Sequence, residues 1–339
     1  MYMPAVEVDE RAAQPKEEVT FLQAISQALW EEMEQDERVF ILGEDVGAYG
    51  GAFKVTEGFV EHFGGNRVID TPLAETAIMG AAIGSALMGM RPVAEVQYAD
   101  FIACGFDQLV NVAAKFHYRS GSPVPMVVRG PSGGGVRGGP FHSQSPEGWF
   151  VHTPGLKVVV PATARDAKGL LKAAIRDPNP VLYFEHKFLY RRIKEVLPDG
   201  DYTVPLGKAD VKREGTDLSI ITYGSMLHKA LEAADVLDAR GISVEVLDLR
   251  TLAPLDKEAV LETVAKTNRA LLLQEDVRVL GIMSEVSAIL AEEGFGNLDA
   301  PVVRITAPHT PVPFSPPLED FFIPQVPGIV EAAEKLAAY

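Results

Sequence analysis

The sequence contains a single cysteine, Cys104, among 339 residues. That excludes an intrachain disulfide and any cysteine-rich metal centre, and it points to a reducing compartment. No second His or Cys stands at ligand spacing from His142, so no zinc site is expected either. Positive charge is scarce: 31 Lys and Arg face 47 Asp and Glu, for a formal net charge of −16. Such a chain is not expected to seek nucleic acid or an anionic membrane, and it suits a basic protein partner instead. Long apolar runs are missing too. The longest, residues 77–90, is too short and too glycine-rich to cross a bilayer. The opening MYMPAVEVDERAAQPKEEVTF is polar and acidic, unlike a secretory signal or transit peptide. A cytoplasmic location is the expectation.

What is present is the composition of an ordinary globular protein, 47% hydrophobic, over a length that suggests two cores. Residues 1–16 read as a flexible tail and 17–190 as a first domain. Residues 191–214, rich in charge, Pro and Gly, read as a linker, and 215–339 as a second domain. Short apolar runs at 39–42, 67–70, 93–96, 126–129, 158–160 and 181–185 alternate with helical patterns at 20–35, 73–90, 107–119 and 164–175. The second domain repeats this with strands at 218–222, 243–248, 270–274 and 302–305, and helices at 226–240, 256–267, 281–293 and 328–338. Strict alternation predicts an α/β protein of two doubly wound domains, each with a mainly parallel sheet covered by helices.

The stretch from Arg67 to Phe101 is the most informative. Thr71-Pro72 reads as a helix start, with Thr as cap and Pro in the first turn, and Pro92 as the stop. Glu75 falls in the first turn, where the helix dipole alone would favour an acid. Gly80 and Gly84 lie four apart beside Ala77, Ala81, Ser85 and Gly89, so one face carries almost no side chain. Glycine within a helix costs about 1 kcal/mol relative to alanine. Several together imply close approach by another backbone, at a subunit interface.

Other candidates sit just past strands. Glu44 and Asp45 follow the first strand, where α/β proteins gather ligands, although a plain turn also accounts for them. Gly133, Gly135 and Gly138 match G-x-G-x-x-G after a strand, which opens a reading as an NAD-linked oxidoreductase. That reading requires a helix to open within the motif and an acid about 20 residues on. The segment runs instead into Gly139-Pro140-Phe141-His142-Ser143-Gln144, so a mobile loop that delivers His142 to a pocket is preferred. Asp177 and Asn179 share a turn and could offer oxygens to a structural cation, but turn formation also explains them. Gly224-Ser225 reads as structural. The Pro-rich stretch 309–317 reads as a surface crossing or a docking surface, and His309 has no evident partner.

The motifs GEDVGAYGGAF, RVIDTPLAE, RPVAEVQYADF, FDQLVNVAAKFHYRSG, FHSQSPEGWFVHTPGLKVVVP, AKGLLKAAIRDPNPVLYFEHKFLYR and TPVPFSPPLE together resemble the β subunits of 2-oxo-acid dehydrogenase decarboxylase components. EVQYADF, HYRSG, HSQSPE and FEHKFLYR look more like the branched-chain enzymes than the pyruvate enzymes, with a pyruvate or acetoin dehydrogenase β subunit as the alternative. The resemblance implies a transketolase-like fold and thiamine diphosphate shared across an α2β2 assembly. The aminopyrimidine would lie on this chain, and the diphosphate and magnesium on a partner α subunit. The Gly-Asp-Gly diphosphate signature is absent here, since Gly200-Asp201 is followed by Tyr202. Glu75 matches the glutamate that holds the pyrimidine nitrogen, and Phe101 the aromatic packed on that ring. Glu44 and Gln97 match further cofactor contacts. His142 matches the histidine implicated in passing the acyl group to a lipoyl arm, Glu44 and Asp107 acids of a proton path, and Asp177 and Asn179 a potassium loop. A lipoyl-bearing acyltransferase core with a basic subunit-binding domain is the implied second partner. A purely structural scaffold subunit is the remaining alternative.

Overall fold

A computed structural model describes residues 17–339; the tail assigned to residues 1–16 lies outside the described residues. The chain enters through a two-residue strand, β1 (Val19–Thr20), into helix α1 (Phe21–Gln35). Thr20 and Gln23 form a reciprocal capping box that satisfies two of the free amides at the helix start. Strand β2 (Val39–Gly43), helix α2 (Phe59–Phe63), strand β3 (Val68–Asp70) and helix α3 (Glu75–Leu87) follow, and then strand β4 (Arg91–Glu95).

The helix boundaries differ from the sequence expectation at both ends of α3. Its N-cap is Ala74, not Thr71, and no side chain caps it. Thr71 precedes a proline, which favours extended backbone, and its N–H continues the sheet by donating to the Gly43 carbonyl at 3.0 Å. At the other end, Gly89 with φ +93° turns the chain before Pro92 is reached. Pro92 lies inside β4.

Next come a 3₁₀ turn at Ala99–Gly105, a π-helical stretch at Gln108–Ala113 and α4 (Ala114–Ser120), where one regular helix was expected. Gly105 lets this segment lie on α3: a Cβ there would stand 2.5 Å from Met79 Cγ. Strand β5 (Val127–Ser132), the short helix α5 (Gly148–Val151), β6 (Lys157–Val159), α6 (Ala164–Arg176) and β7 (Val181–His186) complete the first half.

The stretch read as a linker contributes two strands, β8 (Lys194–Glu195) and β9 (Asp210–Arg213). The second half then runs β10 (Leu218–Thr222), α7 (Met226–Asp238), β11 (Val244–Asp248), β12 (Thr251–Ala253), α8 (Lys257–Thr267), β13 (Ala270–Val277) and α9 (Ile282–Glu292). It ends with β14 (Val303–Ala307), α10 (Pro316–Phe322) and α11 (Val326–Ala337).

The main sheets are mostly parallel. The larger has seven strands in the order β12-β6-β7-β5-β4-β2-β3, and the smaller five in the order β14-β13-β10-β11-β9. Strands β12 and β9 are the antiparallel edge members. Alternation along each strand sends side chains to opposite layers. Val39 and Ile41 join the layer under α1 and α6, while Phe40 and Leu42 join the layer under α3. That second layer continues through Ile221, Leu247 and Leu272, so one apolar core passes from the first sheet to the second.

Candidate active site

The order of strand addition reverses at β2, which has β3 on one side and β4 on the other. A crevice beyond the carboxyl ends of strands at such a reversal is where doubly wound sheets bind ligands. Three acids and an amide stand there: Glu44 and Asp45 after β2, Asp70 at the end of β3, and Gln97 after β4. Asp70 accepts from the amides of Gly47 at 2.6 Å and Ala48 at 3.2 Å, which pins the glycine-rich loop. Gln97 Nε2 donates to Asp45 Oδ2 at 2.9 Å.

Glu44 is the anomaly. It is 3% exposed, and neither carboxylate oxygen has a hydrogen-bond partner. Burial, and then the charges of Glu75 and Asp45, push its pKa above the ordinary value. The Ala74 amide pulls the other way without completing a hydrogen bond. Glu75, half-buried, opens α3 beside it. Two adjacent carboxylates with acceptor capacity to spare fit a flat group that brings N–H donors or positive charge. An aminopyrimidine, with an exocyclic amine and a protonatable ring nitrogen, has that chemistry.

Past Gln97 the chain turns aromatic. Tyr98, Phe101 and His142 form a nest of rings: His142 stands edge-on to Tyr98 at 4.6 Å and to Phe101 at 5.5 Å between centroids. Asp100, between those two aromatics, holds the histidine segment. Its Oδ1 accepts from the Gln144 amide at 3.1 Å and from Gln144 Nε2 at 2.9 Å. The Gln144 carbonyl in turn accepts from Gly133 N–H at 2.9 Å. Lys187 donates to the Gly133 carbonyl, and burial lowers its pKa to about 8 despite the opposing charges of Asp100 and Glu275. Tyr98 and Asp100 were not singled out from sequence, although they share the post-strand segment that carries Phe101.

The glycine-rich loop is held rather than free. Its amides are taken by carboxylates of the second half: Gly134 N–H donates to Glu275 at 2.6 Å and Gly135 N–H to Glu319 at 3.1 Å. Gly133, with φ +79°, passes so close to His186 that a Cβ would meet its Nε2 at 2.0 Å. The amides that a diphosphate would need are therefore already occupied.

Three expected residues lie apart from this cluster. Asp107 is exposed and accepts from Asn111 at 2.7 Å; among the described residues no hydrogen bond joins it to Glu44 or Glu75. Asp177 pairs with the ammonium of Lys157 and accepts from the Asn179 amide at 2.9 Å. Asn179 Oδ1 meets His117 Nδ1 at 2.6 Å. Both side chains of this turn therefore have partners within the chain. Beneath the site, Arg129 is wholly buried between Glu95 and Glu185, and the Tyr190 hydroxyl donates to Glu185 at 2.6 Å.

This fold and crevice define the class. The Transketolase, pyrimidine binding domain family matches residues 17–192, and the Transketolase, C-terminal domain family matches residues 207–329. Among solved structures, a split-gene transketolase, described as an inactive beta4 tetramer, superposes with a TM-score of 0.77 at 25% identity, covering 94% of this chain and 98% of its own.

Closer relatives narrow the class. The 2-oxoisovalerate dehydrogenase subunit beta of Bacillus subtilis (strain 168) is 52% identical over 95% of this chain and 99% of its own. The pyruvate dehydrogenase E1 component subunit beta of the same organism is 47% identical over the same shares. The acetoin:2,6-dichlorophenolindophenol oxidoreductase subunit beta is 46% identical, covering 94% and 97%. The chain belongs to this family of transketolase-like β subunits of 2-oxo-acid dehydrogenases.

Proposed function

We propose that this chain is the β subunit of a thiamine-diphosphate-dependent 2-oxo-acid dehydrogenase that acts on branched-chain 2-oxo acids and works only with a partner α subunit. The supporting observation is the unpartnered Glu44 carboxylate, buried beside Glu75 at the sheet reversal. An aminopyrimidine placed there would give both acids the donors that they lack. When bound, thiamine diphosphate supplies the nucleophilic carbon and the electron sink that decarboxylation needs. Glu75 would hold a proton on the pyrimidine ring nitrogen through a charge-assisted bond. Phe101 would pack on the ring, with Gln97 and Asp45 bonded to each other at its edge. His142, positioned by Tyr98 and Phe101, donates a proton or hydrogen bond as the acyl group passes to a lipoyl arm.

The exposed, nearly side-chain-free face of α3 fits an interface with another chain. A Cβ at Gly80 or Gly84 would meet nothing within 4 Å in this chain. Magnesium and the diphosphate belong to the α subunit in this reading. A lipoyl-bearing acyltransferase core is the second partner, and the acidic charge of the chain suits its basic docking domain. The branched-chain preference rests on the 52% relative, against 47% and 46% for the pyruvate and acetoin relatives. Co-expression with the α partner, followed by assays across branched-chain 2-oxo acids, pyruvate and acetoin, tests the substrate. Glu75→Gln in that assembly should lower decarboxylation by about 10²–10⁴-fold; near-normal turnover would remove the proton-holding role.

A further inference from the structure

The motif TPVPFSPPLE remains without a task after the cofactor and the histidine are placed. It ends at Glu319, a fully buried acid on α10. Its carboxylate faces the loop that leads to His142. Oε1 accepts from Gly135 N–H at 3.1 Å, and Oε2 accepts from Arg137 N–H at 3.2 Å and from Arg137 Nη1 at 2.8 Å. Arg137 reaches on to Asp320 at 2.8 Å and to the Pro316 carbonyl at 3.0 Å. At the other end of the loop, Phe314 of the same motif lies against Gly139, where a Cβ would stand 2.5 Å from the ring. Gly139 has φ +67° and sits three residues before His142. The motif therefore grips the histidine loop at both ends, from the C-terminal half of the chain. A carboxylate occupies the concavity of backbone N–H groups in which such loops elsewhere hold a free anion.

We infer that Glu319 is a positioning residue for acyl transfer: it fixes the 133–142 loop so that His142 stands in the ring nest of Tyr98 and Phe101. The inference rests on the reading of His142 given above. Charge matters in this arrangement. Two amides and a guanidinium converge on Glu319, and a neutral amide of the same shape would turn its own N–H donors toward Arg137. A charge-assisted bond set of this kind governs local opening of the loop that it holds more than the global fold. A small cavity behind the loop is lined by Ser143, Gln144, Glu275 and Asp276, and Glu275 accepts from Gly134 N–H at 2.6 Å, so the C-terminal half also closes the loop from beneath.

The test uses the assembled enzyme carrying Glu319→Gln. Amide hydrogen exchange over residues 133–144 should quicken about tenfold or more. Lipoyl-domain acylation should fall by roughly tenfold, while decarboxylation with an artificial electron acceptor stays within about twofold of wild type. Arg137→Met, altering an exposed side chain, should give a weaker version of the same pattern and carries the test if Glu319→Gln does not fold. Unchanged exchange in the loop would overturn the inference, as would a loosened loop with full acylation. His142→Ala is the separate check on the underlying reading. If it lowers decarboxylation and acylation equally, the acyl-transfer role of His142 falls, whereas positioning by Glu319 is still judged by the exchange data.

Discussion

Glu44→Gln should make the cofactor-free enzyme more stable and less able to use its cofactor. The wild-type carboxylate is 3% exposed and has no partner for either oxygen. A buried polar group left without a partner costs about 1–3 kcal/mol. Glu44 lies just beneath the surface, so the lower end applies, and an isosteric neutral amide should recover about 1 kcal/mol. For a chain of this size that corresponds to a rise of about 2 °C in melting temperature. The sign of the pH dependence follows from the raised pKa. Above its ordinary value of 4.5, the native state holds the Glu44 proton more tightly than the unfolded state does, so wild-type stability falls as pH rises through that window. Measured at about pH 5 and about pH 8, the advantage of the variant should be the larger at the higher pH. Melting of the assembled, cofactor-free enzyme at both pH values measures this, and titration with thiamine diphosphate should then raise the melting temperature of the variant less than that of wild type. A variant that melts below wild type at both pH values would refute the idea that this carboxylate is held at a cost for a ligand.

Gly84→Leu should leave the melting of the β chain unchanged or slightly raised, because its added side chain enters open space and glycine is the poorer helix former by about 0.8 kcal/mol. Co-purification with the α partner should be lost, and retained assembly would remove the interface assignment. Arg129→Met should cost about 3–5 kcal/mol in chemical unfolding, since it leaves the buried carboxylates of Glu95 and Glu185 facing each other. A loss below about 1 kcal/mol would show that water or protonation compensates. Asp276 has its pKa raised to about 7, chiefly by burial, and in part by Glu275. The native state therefore binds more protons than the unfolded state between about 3.8 and about 7, and stability declines as pH rises through that interval. Asp276→Asn should remove no more than about 4 kcal/mol of this loss, summed over the interval; an unchanged slope would assign it to other groups.

Much of the fold can be read locally because strands buried on both faces appear as continuous apolar runs. Val181–His186 and Leu218–Thr222 are fully buried along their length, and both stand out in the sequence. The small-residue face of α3 is equally visible, since it depends only on helical spacing. Features set by distant partners are not. Thr251–Ala253 is three residues long and becomes a strand only because Val158 and Val159 lie beside it. Glu319 follows the Pro-rich stretch 309–317 with nothing in the sequence to mark it, yet it is fully buried, because the amides that stabilise its charge lie some 180 residues earlier. Thr71 looks like a cap until the sheet register shows its N–H committed to Gly43. At the site, residue types and motifs mark Glu44, Glu75, Phe101 and His142. The hydrogen bonds through Asp100 that hold the histidine segment depend on the folded path of the loop and could not be read from spacing.

The antiparallel pairing of β12 with β6 has a practical consequence for how this polypeptide can be divided. A fragment ending before residue 251 would leave the outer side of β6 with unmet backbone donors and acceptors, a template for strand addition by another copy. The apolar layer that runs from Leu42 to Leu272 would be cut open at the same time. Proteolytic nicking between the halves should therefore leave them clasped, whereas separate expression of either half should give aggregates.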